Sequence, residues 1–148
     1  MKPLPNTDKK RIIEQLNIQY GIKELPYLVI EFGKEKLRVY SGIFSKEELY
    51  HLDNEARIET IGLYFAKWEN NEIRLTIDGV QLLKNQITKN IVILDDKYSD
   101  DWLKGSDLDI KTEPGWKILK HNEEFLGCGK STGERITNFM PKERRIKS

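Results

Sequence analysis

The sequence predicts an α+β protein made of two small packed units, residues 1–74 and 75–148. Three observations carry this expectation. A stretch with helical spacing, Ile12, Ile13, Leu16 and Tyr20, gives way to alternating, strand-like runs. Past Leu75 the chain becomes strand-dominated, with only two short helices. No flexible linker separates the halves, so they are expected to pack on one another through a long central strand.

The elements follow in order. Thr7 or Asp8 can cap the first helix, and Gly21 can end it. Tyr27-Leu28-Val29-Ile30-Glu31-Phe32 and Leu37-Arg38-Val39-Tyr40 read as strands joined by a turn at Gly33-Lys34-Glu35. Ser45-Lys46-Glu47-Glu48 is a capping-box pattern for a short helix reaching Leu52. From Ile58 to Trp68 apolar residues lie on both sides of an alternating run, with Ile61 mid-strand, which predicts a central strand covered on both faces. Asn70-Asn71 suits a two-residue turn into Ile73, Leu75 and Ile77.

Asp78 is placed to cap a short helix carrying Val80, Leu82 and Leu83. Ile91-Val92-Ile93-Leu94 reads as a buried strand. Asp100-Asp101-Trp102-Leu103-Lys104-Gly105 reads as a helical turn with its acids first and its lysine last. The rest reads as β: a short strand at Leu108 and Ile110, a turn at Pro114-Gly115, then 116–120, a turn at Asn122-Glu123, and strands over 125–130 and 135–140.

Composition narrows the function classes. The chain has 148 residues, 38% hydrophobic and 33% charged, with a formal net charge of +1. No global field draws it onto nucleic acid, so binding of that kind needs a local patch. Its last twenty residues carry Lys130, Arg135, Lys142, Arg144, Arg145 and Lys147 against Glu134 and Glu143. The alternative reading of that cluster is a solvated terminus. The single cysteine, Cys128, cannot form an internal disulfide, and with the distant His51 and His121 it makes no zinc set. No apolar run reaches 18 residues, and the start lacks a secretion signal, so a cytoplasmic protein without a membrane span is expected.

Gly129-Lys130-Ser131 looks like the end of a phosphate-binding loop. Such a loop needs a glycine five positions earlier, and Glu124 stands there. It must also open into a helix, whereas Gly133 and a strand-like run follow. The carboxylates Glu47, Glu48, Asp95, Asp96, Asp100 and Asp101 sit at helix starts, which accounts for them without catalysis or Mg²⁺. No cofactor and no enzymatic activity are expected.

The run Glu124-Phe125-Leu126-Gly127-Cys128-Gly129 resembles a strand of PUA domains, small RNA-binding pseudo-barrels. Residues 78–83, 88–92, 125–130 and the segment Asn138-Phe139-Met140-Pro141-Lys142-Glu143-Arg144-Arg145 resemble, more narrowly, an archaeal family of short PUA-domain proteins. The family is similar to the RNA-binding tail of RsmF-type ribosomal RNA cytosine-5 methyltransferases and, in layout, to Nip-seven-like ribosome-assembly factors. The resemblance implies a small α/β domain packed on a PUA-like β pseudo-barrel. It also implies a non-enzymatic RNA-binding protein of ribosomal or transfer RNA maturation. The attacking-thiol motif of those methyltransferases has no counterpart, and Cys128 lies in the RNA-binding half.

The resemblance marks Lys84, Thr88, Lys89 and Asn90 as RNA contacts, with solvated lysines and a turn-capping Asn90 as the alternative. Lys130, Arg135, Lys142, Arg144 and Arg145 form the stronger candidate, because arginine forks match phosphate bidentately. Tyr64, Trp116 and Phe139 are stacking candidates, with core packing as the alternative. A second function class is an accessory subunit that docks on an RNA-modifying enzyme or assembly factor.

Overall fold

The computed structural model describes residues 2–41 and 62–147. The expected capping box at Ser45 and Glu48, the helix to Leu52 and the strand start at Ile58 and Ile61 lie outside the described residues.

Among those residues the fold is α+β, with two sheets. The first sheet runs in spatial order β1 (Lys2–Pro3), β2 (Leu28–Phe32), β3 (Lys36–Tyr40), β4 (Leu63–Glu69) and β5 (Glu72–Leu75), all antiparallel. The second holds β6 (Ile91–Ile93), β7 (Gly115–His121), β8 (Glu124–Ser131) and β9 (Ile136–Asn138). There β6 pairs parallel to β7, and the rest is antiparallel. The helices are α1 (Asn6–Tyr20), α2 (Ile77–Leu83) and α3 (Asp96–Leu103), with 3₁₀ turns at Lys84–Gln86 and Lys142–Arg144.

The expected turns at Gly33-Lys34-Glu35, Asn70-Asn71 and Asn122-Glu123 each join an antiparallel pair. Asn70 and Asn71 have φ of 53° and 62°, the left-handed pair that a tight two-residue turn requires. The helix starts differ from expectation. Pro5 precedes α1 and no side chain caps it; Thr7 and Asp8 lie inside its first turn, where Asp8 complements the helix dipole. Thr76, not Asp78, caps α2: its Oγ1 accepts from the Gly79 amide at 2.9 Å and donates to the Tyr64 carbonyl at 2.8 Å. One residue thus ends β5 and ties the new helix to β4. Helix α3 starts earlier than its acids suggest, because Asp95 Oδ1 accepts from the Tyr98 amide at 2.8 Å.

Two apolar clusters lie on either side of the second sheet. One joins Ile12, Leu16 and Tyr20 of α1 to Phe65, Ala66, Ile73 and Leu75, and takes in Ile118 and Cys128. The other gathers Leu94, Trp102, Leu108, Leu119, Ile136 and Met140. Ile118 and Leu119 are adjacent on β7, so successive side chains enter opposite clusters. Strand β7 is therefore covered on both faces, as β4 is at Phe65 and Ala66. In β4, Phe65 and Ala66 are buried but Leu63 at its start is exposed. Each fully buried Leu, Ile or Phe contributes about 1.5–3 kcal/mol relative to exposure. The first cluster runs across residue 74, the expected boundary, which falls within β5.

Strand β6 is shorter and wetter than its sequence suggests: among the described residues it pairs only with β7, and Ile93 is 68% exposed. Leu108 makes a single bridge to Ile136 rather than a strand. The other edge of the first sheet is closed by a side chain. Gln19 accepts from the Ile73 amide at 2.7 Å and donates to the Ile73 carbonyl at 2.9 Å, and the Tyr20 hydroxyl donates to that carbonyl as well. No helix among the described residues is long and apolar enough to cross a membrane.

Candidate nucleic-acid interface

The expected site residues fall into two groups. Lys84 ends α2 and enters the 3₁₀ turn, while Thr88 and Lys89 lead into β6. All three are exposed. The Thr88 and Lys89 amides both donate to the Tyr20 carbonyl, at 2.8 and 3.2 Å, which fixes this connection against the end of α1. Asn90 has φ of 58°, and its side chain accepts from Lys117 Nζ at 3.1 Å. Its side-chain amide also donates to the Gln19 carbonyl, so both ends of the carboxamide have partners within the chain.

The second group lies on β8, β9 and the tail. Lys130 and Ser131 end β8, and a turn rather than a helix follows, with the Gly133 amide donating to Ser131 Oγ at 3.1 Å. This is the geometry of a hairpin, not of a nucleotide loop. Arg135 leaves that turn and pairs with Asp107 at 3.7 Å and Asp109 at 3.9 Å. Arg144 pairs with Asp78 on α2 at 3.4 Å. Arg145 Nε donates to the Met140 carbonyl at 3.0 Å, and its guanidinium lies over Gly105. A side chain at Gly105 would strike that guanidinium, and φ there is +96°. Lys142 is exposed and makes no ion pair among the described residues.

Asn138 holds this tail in place. Its side-chain amide donates to the Trp102 carbonyl at 2.8 Å and the Ser106 carbonyl at 3.0 Å, while its oxygen accepts from the Met140 amide at 2.8 Å. Gly129 lets Trp102 approach: a Cβ there would come within 2.7 Å of both the Trp102 ring and Ile136. Nearer its start, β8 carries one extra residue, Leu126, between Gly127 and Phe125, which face Leu119 and Lys120.

A third feature combines residues from both halves. Trp116 faces Lys130 across β7 and β8, and Lys130 Nζ sits 5.2 Å from the Trp116 ring centroid. The Trp116 and Phe139 rings lie 5.5 Å apart at 49°. Arg74 of β5 places its guanidinium 5.1 Å from the Phe139 centroid. Tyr64, beneath Lys36 at 5.8 Å, lines the same cavity as Phe139 and Arg74. Trp116 and Tyr64 are half-buried, and Phe139 is 42% exposed. Phe139 and Tyr64 thus line one cavity between the sheets and Trp116 an adjoining cleft, joined by the Trp116–Phe139 contact and by Arg74, which lines both. Arg74 is the residue that the sequence reading passed over: it is one cation in a strand, and nothing local marks it as facing Phe139.

Cys128 lines the groove floor, where burial pushes its thiol up to about 11. Burial, with Cys128 beside it, also raises the Tyr20 phenol well above its ordinary range. No cluster of three or more metal-ligating side chains occurs among the described residues.

Residues 89–146 match the family described as the methyltransferase RsmF PUA domain. The chain is 23% identical over 144 residues to Ribosomal RNA small subunit methyltransferase F of Aeromonas salmonicida (strain A449). The alignment takes in 95% of this chain and 29% of that protein, so the chain spans less than a third of its relative. Among solved structures it is similar to hypothetical protein PH0734.1 from the hyperthermophilic archaeon Pyrococcus horikoshii OT3. The TM-score is 0.54 at 17% identity, with 99% of this chain and 89% of that one covered, a likeness of fold. Residues 89–146 are thus similar to the RsmF PUA domain, and the chain resembles part of a protein named as a ribosomal RNA methyltransferase.

Proposed function

We propose that this chain is a non-enzymatic RNA-binding protein of ribosomal or transfer RNA maturation. It holds structured RNA by phosphate neutralisation and shape, with limited reading of bases. The observation that carries this reading is the match of residues 89–146 to an RsmF PUA domain, a module whose curated relative is named for ribosomal RNA. The proposed contacts are Lys84, Thr88, Lys89, Lys130, Arg135, Lys142, Arg144 and Arg145. Of these, Lys84, Lys89 and Lys142 are exposed and make no ion pair among the described residues, whereas Arg135 and Arg144 must exchange a carboxylate for a phosphate. The reading also places the protein in the cytoplasm.

The test is a mobility shift with ribosomal RNA fragments and transfer RNA at two salt concentrations about fourfold apart. Four phosphate contacts at a slope of about −0.8 each predict an affinity loss of about 100-fold across that range. Absence of binding at low salt overturns the reading. A second reading is that the chain serves a separate RNA methyltransferase as its RNA-holding subunit. It is favoured by the alignment of nearly the whole chain with one part of a protein named as a methyltransferase. Co-purification from the source cell tests it, and recovery of the chain alone argues against it.

A further inference from the structure

We propose that the groove between the two sheets is a base-stacking site for single-stranded RNA, with Phe139 and Trp116 as its platform and Arg74 and Lys130 as its phosphate contacts. The proposal rests on the RNA-binding reading and adds where a strand binds and in what form.

The rings are the first argument. Phe139 is 42% exposed, although a ring of that size in a core position would be buried, and it leans on a second ring 5.5 Å away. An unpaired base offers a flat face to such rings, whereas a base inside a duplex keeps its faces covered by its neighbours. The cations are the second argument. Arg74 and Lys130 lie over Phe139 and Trp116 and take part in no ion pair among the described residues, while Arg135 and Arg144 do. A cation over an exposed ring is held by an equilibrium factor of only about 2 to 5. Stacking of one base on such a ring is worth a factor of about 5 to 150. A base therefore displaces the cation from the ring, and the long side chain turns to the adjoining phosphate.

Charge and volume set the size of the ligand. The cleft beside Trp116 carries Lys67, Arg74 and Lys130 against Glu69 and Glu72, a net of +1. Lys67 pairs with Glu69 at 3.2 Å, and this hydrogen bond and charge lower the Glu69 pKa, so the pair cancels. The groove thus neutralises one or two phosphates rather than a long backbone track. The apolar cavity beside Phe139 has a volume of about 100 Å³, short of the roughly 150 Å³ cavity that admits benzene. It encloses no small molecule whole; the ring faces themselves are the binding surface.

The experiment measures binding of the full chain to a short single-stranded oligoribonucleotide, by anisotropy and by quenching of tryptophan fluorescence. Phe139→Ala is expected to weaken binding about 5- to 150-fold, Phe139→Tyr to restore it, and Trp116→Phe to abolish most of the quenching. On an oligonucleotide lacking bases, the parent and Phe139→Ala should bind alike. Thermal melts establish that each variant is folded, and Arg74→Ala, which leaves the rings in place, gives a second route to the same groove. The proposal is overturned if Phe139→Ala binds the oligonucleotide as tightly as the parent. Equal loss on the base-free strand, or a polyglutamate peptide quenching Trp116 as the oligonucleotide does, also overturns it. A parent that binds no RNA at low salt overturns the RNA-binding reading itself. A parent that binds ribosomal RNA no better than Phe139→Ala overturns the groove alone.

Discussion

In the C-terminal tail the arginines meet acceptors of the same chain: Asp107 and Asp109 for Arg135, Asp78 for Arg144, and the Met140 carbonyl for Arg145. In the groove, Arg74 and Lys130 rest on aromatic rings and face no carboxylate at ion-pair distance among the described residues. Two of the tail's arginines, Arg135 and Arg144, are spent on carboxylates, whereas Arg74 and Lys130 in the groove are not. Exposed ion pairs contribute little to stability, typically about 0–1 kcal/mol, but each still presents a competing anion that a phosphate must displace. Linear charge density is therefore a poor guide to where a backbone binds.

The largest expected difference between the two regions lies in their response to alkali. Burial raises the Cys128 thiol to about 11 from an ordinary 9, and raises the Tyr20 phenol behind it. Both groups are neutral when protonated, so the unfolded chain releases their protons first. Stability is complete below pH 9 and falls as pH rises towards 11, by roughly 3 kcal/mol for a two-unit shift at Cys128 alone. Denaturant melts across that range should show the fall, and Cys128→Ala should flatten it. A parent curve that is already flat would mean that the groove floor is more hydrated than its burial implies.

Next in size is the tail's anchor. Asn138→Ala takes a partner from the Ser106 carbonyl and the Met140 amide, and leaves the Trp102 carbonyl with the Gly105 amide. The expected cost is about 1–3 kcal/mol, read from the melting midpoint. If stability is unchanged, the tail is held by Arg144 and Arg145 and not by its backbone.

The smallest effect bears most directly on the comparison. The Arg74→Ala, Lys130→Ala double variant should lose about tenfold in RNA affinity at moderate salt and flatten the salt slope by about 1.5, the value for two lost phosphate contacts. Arg144→Ala, which removes a cation already paired with Asp78, should change affinity less than about threefold. Reversed magnitudes in anisotropy titrations would make the tail the stronger contact.

Much of the fold was legible because local chemistry decided it. The Asn70-Asn71 turn, Gly21 after α1 and the strand runs on either side of Gly33 each follow from one or two side chains. The caps were misplaced where a remote partner decided the matter: Thr76 was chosen because its hydroxyl also reaches the Tyr64 carbonyl on β4. The candidate site divided in the same way. The basic residues of the tail are visible as a run, but their carboxylate partners stand on other elements, 66 residues away for Arg144. Tyr64, Trp116 and Phe139 were visible as aromatic residues, while their meeting depends on how β4, β7 and the segment after β9 come together. Arg74 had no signal of its own.

The Gln19 carboxamide that closes the β5 edge has a kinetic side. It pairs with a residue 54 positions away, and its neighbour Tyr20 reaches Cys128, 108 positions away. The β4–β5 hairpin can form locally, whereas the end of α1 can settle only after that hairpin and β8 are in place. Closing such long loops costs entropy before any contact repays it, which puts this junction late in the order of assembly. Gln19→Ala should therefore hasten unfolding while leaving the folding limb of the chevron nearly unmoved, and a slowed folding limb would place the junction in the nucleus instead. The residue that seals the sheet is, in time, the latch that closes last.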